Sequence, residues 1–239
     1  MHYPKVWTGS AHNWVGAPLS MACAPGAGGG LAWSISADGT LIGGRIAVPV
    51  TKKTSVVYPV LWDGPASNCR ILSVPPGKQG GEGYVLEVSN VGTAVGAVNS
   101  GGITVALAWD AAGVPTILGA IAGSTYDEAR AVNRSGTIAV GISKAQAVAW
   151  FRTPTGWSAP LVLPCGSWAT GVNDSGLIVG KGCDGGRRWQ VVNGVVTSMG
   201  LMPGLTPSGA PNVEAVNNNT TSGQPWAAGG PSALFWRVP

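Results

Sequence analysis

Gly171-Val172-Asn173-Asp174-Ser175-Gly176-Leu177-Ile178-Val179-Gly180 decides the fold of this 239-residue chain. A β-branched residue leads into a four-residue turn, and an apolar run follows that ends on Gly. Asn first and Gly fourth suit a type I turn. The Asn side chain bonds the backbone two residues on, and Gly takes positive φ without a steric clash. The stretch reads as the two arms of a β-hairpin.

Working outward, the pattern recurs with the turns Ser36-Ala37-Asp38-Gly39, Ser89-Asn90-Val91-Gly92, Asn133-Arg134-Ser135-Gly136 and Asn217-Asn218-Asn219-Thr220. The last copy lacks the closing Gly and carries extra residues through Gly223. Ile35, Val88, Val132, Val172 and Val216 precede the turns, and the following apolar strands end on Gly43, Gly96, Gly141, Gly180 and Gly229. A third strand follows, marked by Trp62, Trp109, Trp150, Trp189 and Trp236, at spacings of 47, 41, 39 and 47 residues. A fourth apolar stretch closes each of the first four units, at 70–72, 115–118, 160–163 and 195–199.

Four short strands in ~40–47 residues is the period of a propeller blade. One such unit cannot bury both faces alone, whereas neighbours packed side by side can. The expected fold is all-β: a five-bladed β-propeller forming a single domain over 1–239. Its repeat cores lie near 31–72, 84–118, 128–163, 168–199 and 212–239. The N-terminal segment 1–30 is expected to close the ring. Its Trp14-Val15-Gly16-Ala17-Pro18-Leu19 matches Trp157-Ser158-Ala159-Pro160-Leu161, so it supplies the fourth strand the last unit lacks. Closure removes two sheet edges. Lys5-Val6-Trp7 then remains as a surplus third strand. A β-solenoid, usually built of shorter coils, is the rival architecture.

Composition agrees with many short strands joined by many turns. Charged residues make up 10% of the chain, against ~25% in an ordinary soluble domain. Gly 38 and Pro 18 are numerous, but 11 Trp are foreign to a disordered chain. The net charge of +4 is spread thinly, with Lys52-Lys53 and Arg187-Arg188 as basic pairs read as solvated charges. A nucleic-acid partner would need a clustered basic stripe. No apolar run approaches ~20 residues, so no membrane insertion is expected. Residues 1–15 lack the basic-then-apolar order of a secretory signal; the signal is either removed or not used.

Read together, these motifs resemble the HAF-repeat family of bacterial and phage-associated proteins. The residues that carry the resemblance are Leu118-Gly119-Ala120-Ile121-Ala122-Gly123, then Ala131-Val132-Asn133, Gly136 and Gly141, the opening stretch at 171–180, and Met199-Gly200-Leu201-Met202-Pro203-Gly204. The resemblance runs over nearly the whole chain. The family's His before Ala-Phe is absent from every copy here, so no role for it carries over. The resemblance implies an extracellular or surface-associated repeat protein and lends no defined chemistry.

The residues offer little for catalysis. His2 and His12 both lie in the first dozen positions, which leaves neither a Ser-His-Asp triad nor a multi-His metal site. The acidic neighbours Asp127-Glu128 point to opposite faces of a strand. Glu87, Glu128 and Glu214 sit on first strands, nearest a propeller axis. They could converge as a glycosidase pair or simply line a polar channel. Asp38, Asp174 and Asp184 lie in turns and lack EF-hand spacing. No cofactor and no metal are expected. Cys165 and Cys183 flank the 173–176 turn symmetrically, and a cross-strand disulfide and buried free thiols are both open. Cys23 occupies the same repeat position as Cys165 and reads as a packing residue.

Binding falls to the aromatics. Trp7, Trp62, Trp109, Trp150, Trp189 and Trp236 keep the repeat spacing and are assigned to the core. The ligand-binding candidates are Trp14, Trp33, Tyr84, Trp157 and Trp168. Flat rings with polar tips suit the apolar faces of sugars. The expected function is a non-enzymatic binding or structural module on a phage virion. As a tail or fibre-associated adhesin it would engage host-surface carbohydrate or a neighbouring virion protein. A secreted, lectin-like bacterial surface propeller is one alternative and a polysaccharide-degrading enzyme another. A homo-oligomer is left open.

Overall fold

The computed structural model describes residues 3–10, 13–64, 68–202, 213–218, 226–229 and 234–237. Every regular element among them is a β-strand, and no helix is long and apolar enough to cross a membrane. The all-β expectation holds. The chain divides into two compact units, Met1–Ile117 and Leu118–Pro239.

The first unit opens with a hairpin of Lys5–Ser10 and Asn13–Pro18. Repeat one follows as Gly29–Ile35, Ile42–Pro49, Ser55–Trp62 and Cys69–Ile71. Repeat two is Glu82–Val88, Ala94–Ser100, Ile103–Trp109 and Pro115–Ile117. Within each repeat the strands pair antiparallel in chain order, and a parallel bridge at Val57 and Glu82 joins the two. In the second unit, repeat three is Asp127–Val132, Ile138–Ser143, Gln146–Thr153 and Leu161–Val162, with a short arm at Gly156–Trp157. Repeat four is Gly166–Val172, Leu177–Gly182, Gly185–Val192 and Val195–Leu201. Repeat five has Val213–Val216, Trp226–Gly229 and Leu234–Arg237.

The turns form as their residues dictate. Gly39, Gly92, Gly136 and Gly176 have φ of 75°, 81°, 70° and 77°. Each donates its N–H to the carbonyl of the residue opening the turn, at 2.8 to 3.2 Å. The opening side chain faces inward: Asn133 Oδ1 accepts from Ile138 N at 2.9 Å and Asn173 Oδ1 from Leu177 N at 3.0 Å. Ser36 and Ser89 do the same with Leu41 N and Thr93 N. Successive turns are also tied together. Asp38 N donates to Asn90 Oδ1, Ser135 N to Asp174 Oδ1 and Asp174 N to Asn218 Oδ1. Residues 219 and 220 of the fifth turn lie outside the described residues.

Each first strand carries a β-bulge three residues before its turn, at Trp33, Leu86, Arg130, Thr170 and Glu214. This explains the repeated glycine. The residue before each bulge pairs with Gly44, Gly96, Gly141, Gly180 or Gly229. A Cβ at Gly44, Gly96, Gly141 or Gly180 would collide with the carbonyl oxygen of Leu31, Tyr84, Glu128 or Trp168. The glycine admits a bent backbone. In repeat one that residue is Gly44, not Gly43. In repeats one to four the strand continues past the glycine rather than ending on it.

Trp62, Trp109, Trp150 and Trp189 are fully buried. Their indole N–H groups donate to the carbonyls of Ser20, Ser73, Gly119 and Pro164, at 2.6 to 2.9 Å. Each acceptor directly follows a buried leucine: Leu19, Leu72, Leu118 or Leu163. Within each unit the leucine that ends one repeat therefore packs under the next. Leu61 and Leu72 share a core with Val85, Leu107 and Trp109. Val140 and Leu163 share one with Ile178 and Trp189. A buried indole without its acceptor would lose a hydrogen bond as well as packing, so within each unit this contact fixes how far apart neighbouring repeats stand.

The surplus third strand finds its place in the same geometry. Leu72 N donates to Pro59 O, Leu163 N to Ala147 O and Met202 N to Gly186 O. In each case the acceptor lies three residues before the repeat tryptophan. Leu19 N donates to Pro4 O, and Pro4 lies three before Trp7. The Pro4 ring stands near Gly30 as the Pro59 ring stands near Gly83. The N-terminal hairpin is thus the outer half of a repeat, stacked on repeat one. Its Trp7 is 60% exposed, which corrects the core assignment: the first two strands that bury the other tryptophans are not paired to it. The side chain of Trp236 lies outside the described residues.

Both cysteine pairs are disulfides, Cys23 with Cys69 and Cys165 with Cys183. The second joins the entry of repeat four to its second hairpin. The first corrects the reading of Cys23 as a packing residue, because its thiol ties the entry of repeat one to the fourth strand.

Candidate functional site

The bulges aim side chains from one repeat at the next. In the first unit, Trp33 at its bulge meets Tyr84 of repeat two edge-on, with ring centroids 5.9 Å apart. Arg45, on the neighbouring strand, lies over the Trp33 ring at 5.1 Å. Trp33 remains 42% exposed. Two hollows belong to the cluster, one lined by Arg45 with Gly28, Gly30 and Ser55 among others, and the other by Trp33 with Lys5, Trp7 and Ser34 among others. The Ser34 hydroxyl is buried there with no hydrogen-bond partner among the described residues.

The second unit repeats the arrangement with residues exchanged. Arg130, at its bulge, meets Trp168 of repeat four at 5.7 Å. Lys181, cross-strand from Trp168, lies over the same ring at 4.7 Å. Glu128 is buried and holds Arg130 at 2.8 Å. The Tyr126 hydroxyl donates to the other oxygen of Glu128 at 3.0 Å. Burial first, and then the Glu128 charge, push the Tyr126 phenol above its ordinary pKa. In both units an indole carries a cation from the neighbouring strand, and a bulge residue bridges two repeats.

Of the five candidates, the structure brings Trp33 and Tyr84 together and gives Trp168 a matching cluster. Trp14 and Trp157 join neither. Trp14 lies in the N-terminal hairpin, 58% exposed. Trp157 packs beside Arg152 at 5.6 Å, and its indole N–H is buried without an acceptor among the described residues. Arg45, Arg130, Lys181 and Tyr126 were not legible as site residues. Alignment of the repeats on their turns could have shown that Arg130 stands where Trp33 does.

The acidic residues do not assemble within either unit. Both oxygens of Glu128 are engaged, which suits a structural role. Glu87 stands one residue past the Leu86 bulge, and burial pushes its carboxyl up to about 7. Glu214 is exposed. The sulfurs of Cys165 and Cys183 and the Asp184 carboxylate lie within 4.8 Å of one another. The disulfide removes the thiolates, and Arg187 takes both Asp184 oxygens at 3.1 and 2.8 Å, so this group braces the hairpin rather than holding a metal. His2 and His12 lie outside the described residues.

Arg188 corrects the reading of Arg187-Arg188 as solvated charges. It precedes Trp189 as Leu61, Ala108 and Ala149 precede theirs, and those three are buried. Its Nε and Nη1 are buried without a partner among the described residues, and desolvation pulls its pKa down.

No family model and no curated protein matches the chain. Among solved structures it is similar to a glucose dehydrogenase at 11% identity and a TM-score of 0.40, over 99% of this chain and 95% of that one.

Proposed function

We propose that the chain is a non-enzymatic carbohydrate-binding module, built as one five-bladed β-propeller domain closed by its N-terminal hairpin. The matching clusters around Trp33 and Trp168 carry this reading. Two copies of an indole–cation arrangement, generated by one repeated bulge, set partly exposed indoles beside cationic hydrogen-bond donors, a combination suited to sugars. Closure rests on the repeat count: the Leu19–Pro4 bond gives Asn13–Pro18 a fourth-strand place beside Lys5–Ser10, and the last repeat shows three strands among the described residues.

The module works outside the cytoplasm, either as a tail or fibre-associated adhesin of a phage virion or as a secreted surface lectin. The two disulfides favour giving the second equal weight. A secreted chain meets an oxidising compartment as it folds, and a virion protein meets one on release. Detection of the protein in purified phage particles would select the first, and detection in the medium of a phage-free culture the second.

A glycan array probed with folded protein tests the binding reading. The wild type is expected to bind, and Trp168→Ala and Trp33→Ala to bind more weakly at unchanged melting temperature. Depolymerisation of a bound polysaccharide, lost in Glu87→Gln, would overturn the non-enzymatic assignment.

A further inference from the structure

The cations of the two clusters are unequally compensated. Glu128 absorbs the charge of Arg130. Among the described residues no carboxylate pairs with Arg45 or Lys181, although each lies over an indole. Both are half-buried. A cation–π contact leaves the in-plane or ammonium N–H donors unfilled, whereas an anion would take them in charge-assisted hydrogen bonds. From this we propose that the ligand is an anionic glycan, a polysaccharide whose units carry carboxylates. The inference rests on the carbohydrate reading above and narrows its ligand class.

The geometry suits such a unit. A guanidinium stacked on an indole uses its π face for the ring and keeps its in-plane N–H donors free. Arg45 can therefore pack on Trp33 and still offer two parallel hydrogen bonds to a carboxylate. The rest of the sugar finds the exposed part of Trp33 and the Lys5 side of the hollow that Trp33 lines. No acidic residue lines either hollow. In the second cluster the Lys181 ammonium plays the same part as a compact point charge beside Trp168, and the Glu128–Arg130 pair holds the floor. Arg45 and Lys181 are both cross-strand neighbours of the residue two before the bulge, Leu31 and Trp168, and each follows the glycine that faces the bulge. The repeat thus places in each unit, at the same point, one cation with no carboxylate partner among the described residues.

Isothermal titration with oligogalacturonate and with its carboxyl-reduced, neutral counterpart tests the proposal. The acidic polymer is expected to bind at least about tenfold more tightly, the scale of one or two charge-assisted contacts, and to lose that advantage in high salt. Arg45→Gln with Lys181→Gln should bring the acidic polymer down to the affinity of the neutral one, with the melting curve unchanged. Equal affinity of the wild type for both polymers, or binding confined to neutral sugars on the array, overturns the charge preference and leaves the carbohydrate reading standing. Absence of binding to any sugar overturns both.

Discussion

Trp150 donates its indole N–H to the carbonyl oxygen of Gly119 at 2.7 Å, across 31 residues of chain and from the third strand of repeat three to the segment that leads into that repeat. The buried indole is both wedge and latch. Replacement by Phe keeps an aromatic core but leaves the Gly119 carbonyl without its donor. Trp150→Phe should cost about 2–4 kcal/mol in urea unfolding. Trp7→Phe, at an exposed ring with no such latch, should stay within about 0.5 kcal/mol. A similar cost at both sites would contradict the half-repeat assignment of the N-terminal hairpin.

Gly141 faces the bulge at Arg130, and any Cβ there meets the Glu128 carbonyl. Strand backbone has little room to retreat, because both neighbouring strands are paired. Gly141→Ala is expected to destabilise by about 1–3 kcal/mol or more, the scale of overpacking. It should also disturb Glu128 and hence Arg130 over Trp168. Thermal unfolding reads the first effect, and indole fluorescence of a folded but weakened variant reads the second.

The turns, strands and repeat tryptophans were legible because each rests on a local rule. Asn133 and Asn173 bond their own turns, and Gly136 and Gly176 take the positive φ those turns need. The bulges were not legible. A bulge shows itself through the register of two strands, and its sequence trace is a glycine on the partner strand, which also reads as a strand end. Missing the bulge meant missing the direction of Arg130 and the pairing of Lys181 with Trp168. The Cys23–Cys69 bond escaped for a related reason: its partners come from a linker and a fourth strand 46 residues apart, a distance no local pattern spans.

The disulfides should matter unequally. In the loop-entropy account, the 46-residue separation of Cys23 and Cys69 corresponds to about 4 kcal/mol and the 18-residue separation of Cys165 and Cys183 to about 3 kcal/mol. Cys23→Ser with Cys69→Ser is expected to lower the melting temperature more than the corresponding double replacement at 165 and 183. Equal loss at the two sites would show that loop closure is not what sets their contribution.

Glu87 gives the fold a pH dependence of definite sign. Its carboxyl is pushed up to about 7 in the folded chain from an ordinary 4.5, through burial. The folded state therefore prefers the protonated form. Below pH 4.5 the group does not penalise folding; as pH rises through about 7 it comes to cost at most about 3 kcal/mol, less to the extent that solvent reaches the side chain. Stability should fall between about pH 4.5 and about pH 7 and level off above that. Glu87→Gln should flatten that slope and raise the melting temperature at pH 8. An unchanged slope in the variant would place the titrating group elsewhere.

Arg188 occupies a place that three other repeats give to small or branched apolar residues, and it leaves Nε and Nη1 buried and unpaired among the described residues. A desolvated guanidinium without partners opposes folding, whereas an apolar side chain of similar reach would add burial. Arg188→Leu is expected to stabilise the chain by about 1–2 kcal/mol in urea unfolding, as removal of an orphaned polar group allows. Arg188→Lys should not, since it keeps the charge in the same surroundings. If Arg188→Leu instead destabilises, the guanidinium has a partner in the folded protein, and its position toward Val179 on the adjacent strand shows where to look: among the residues that face that strand.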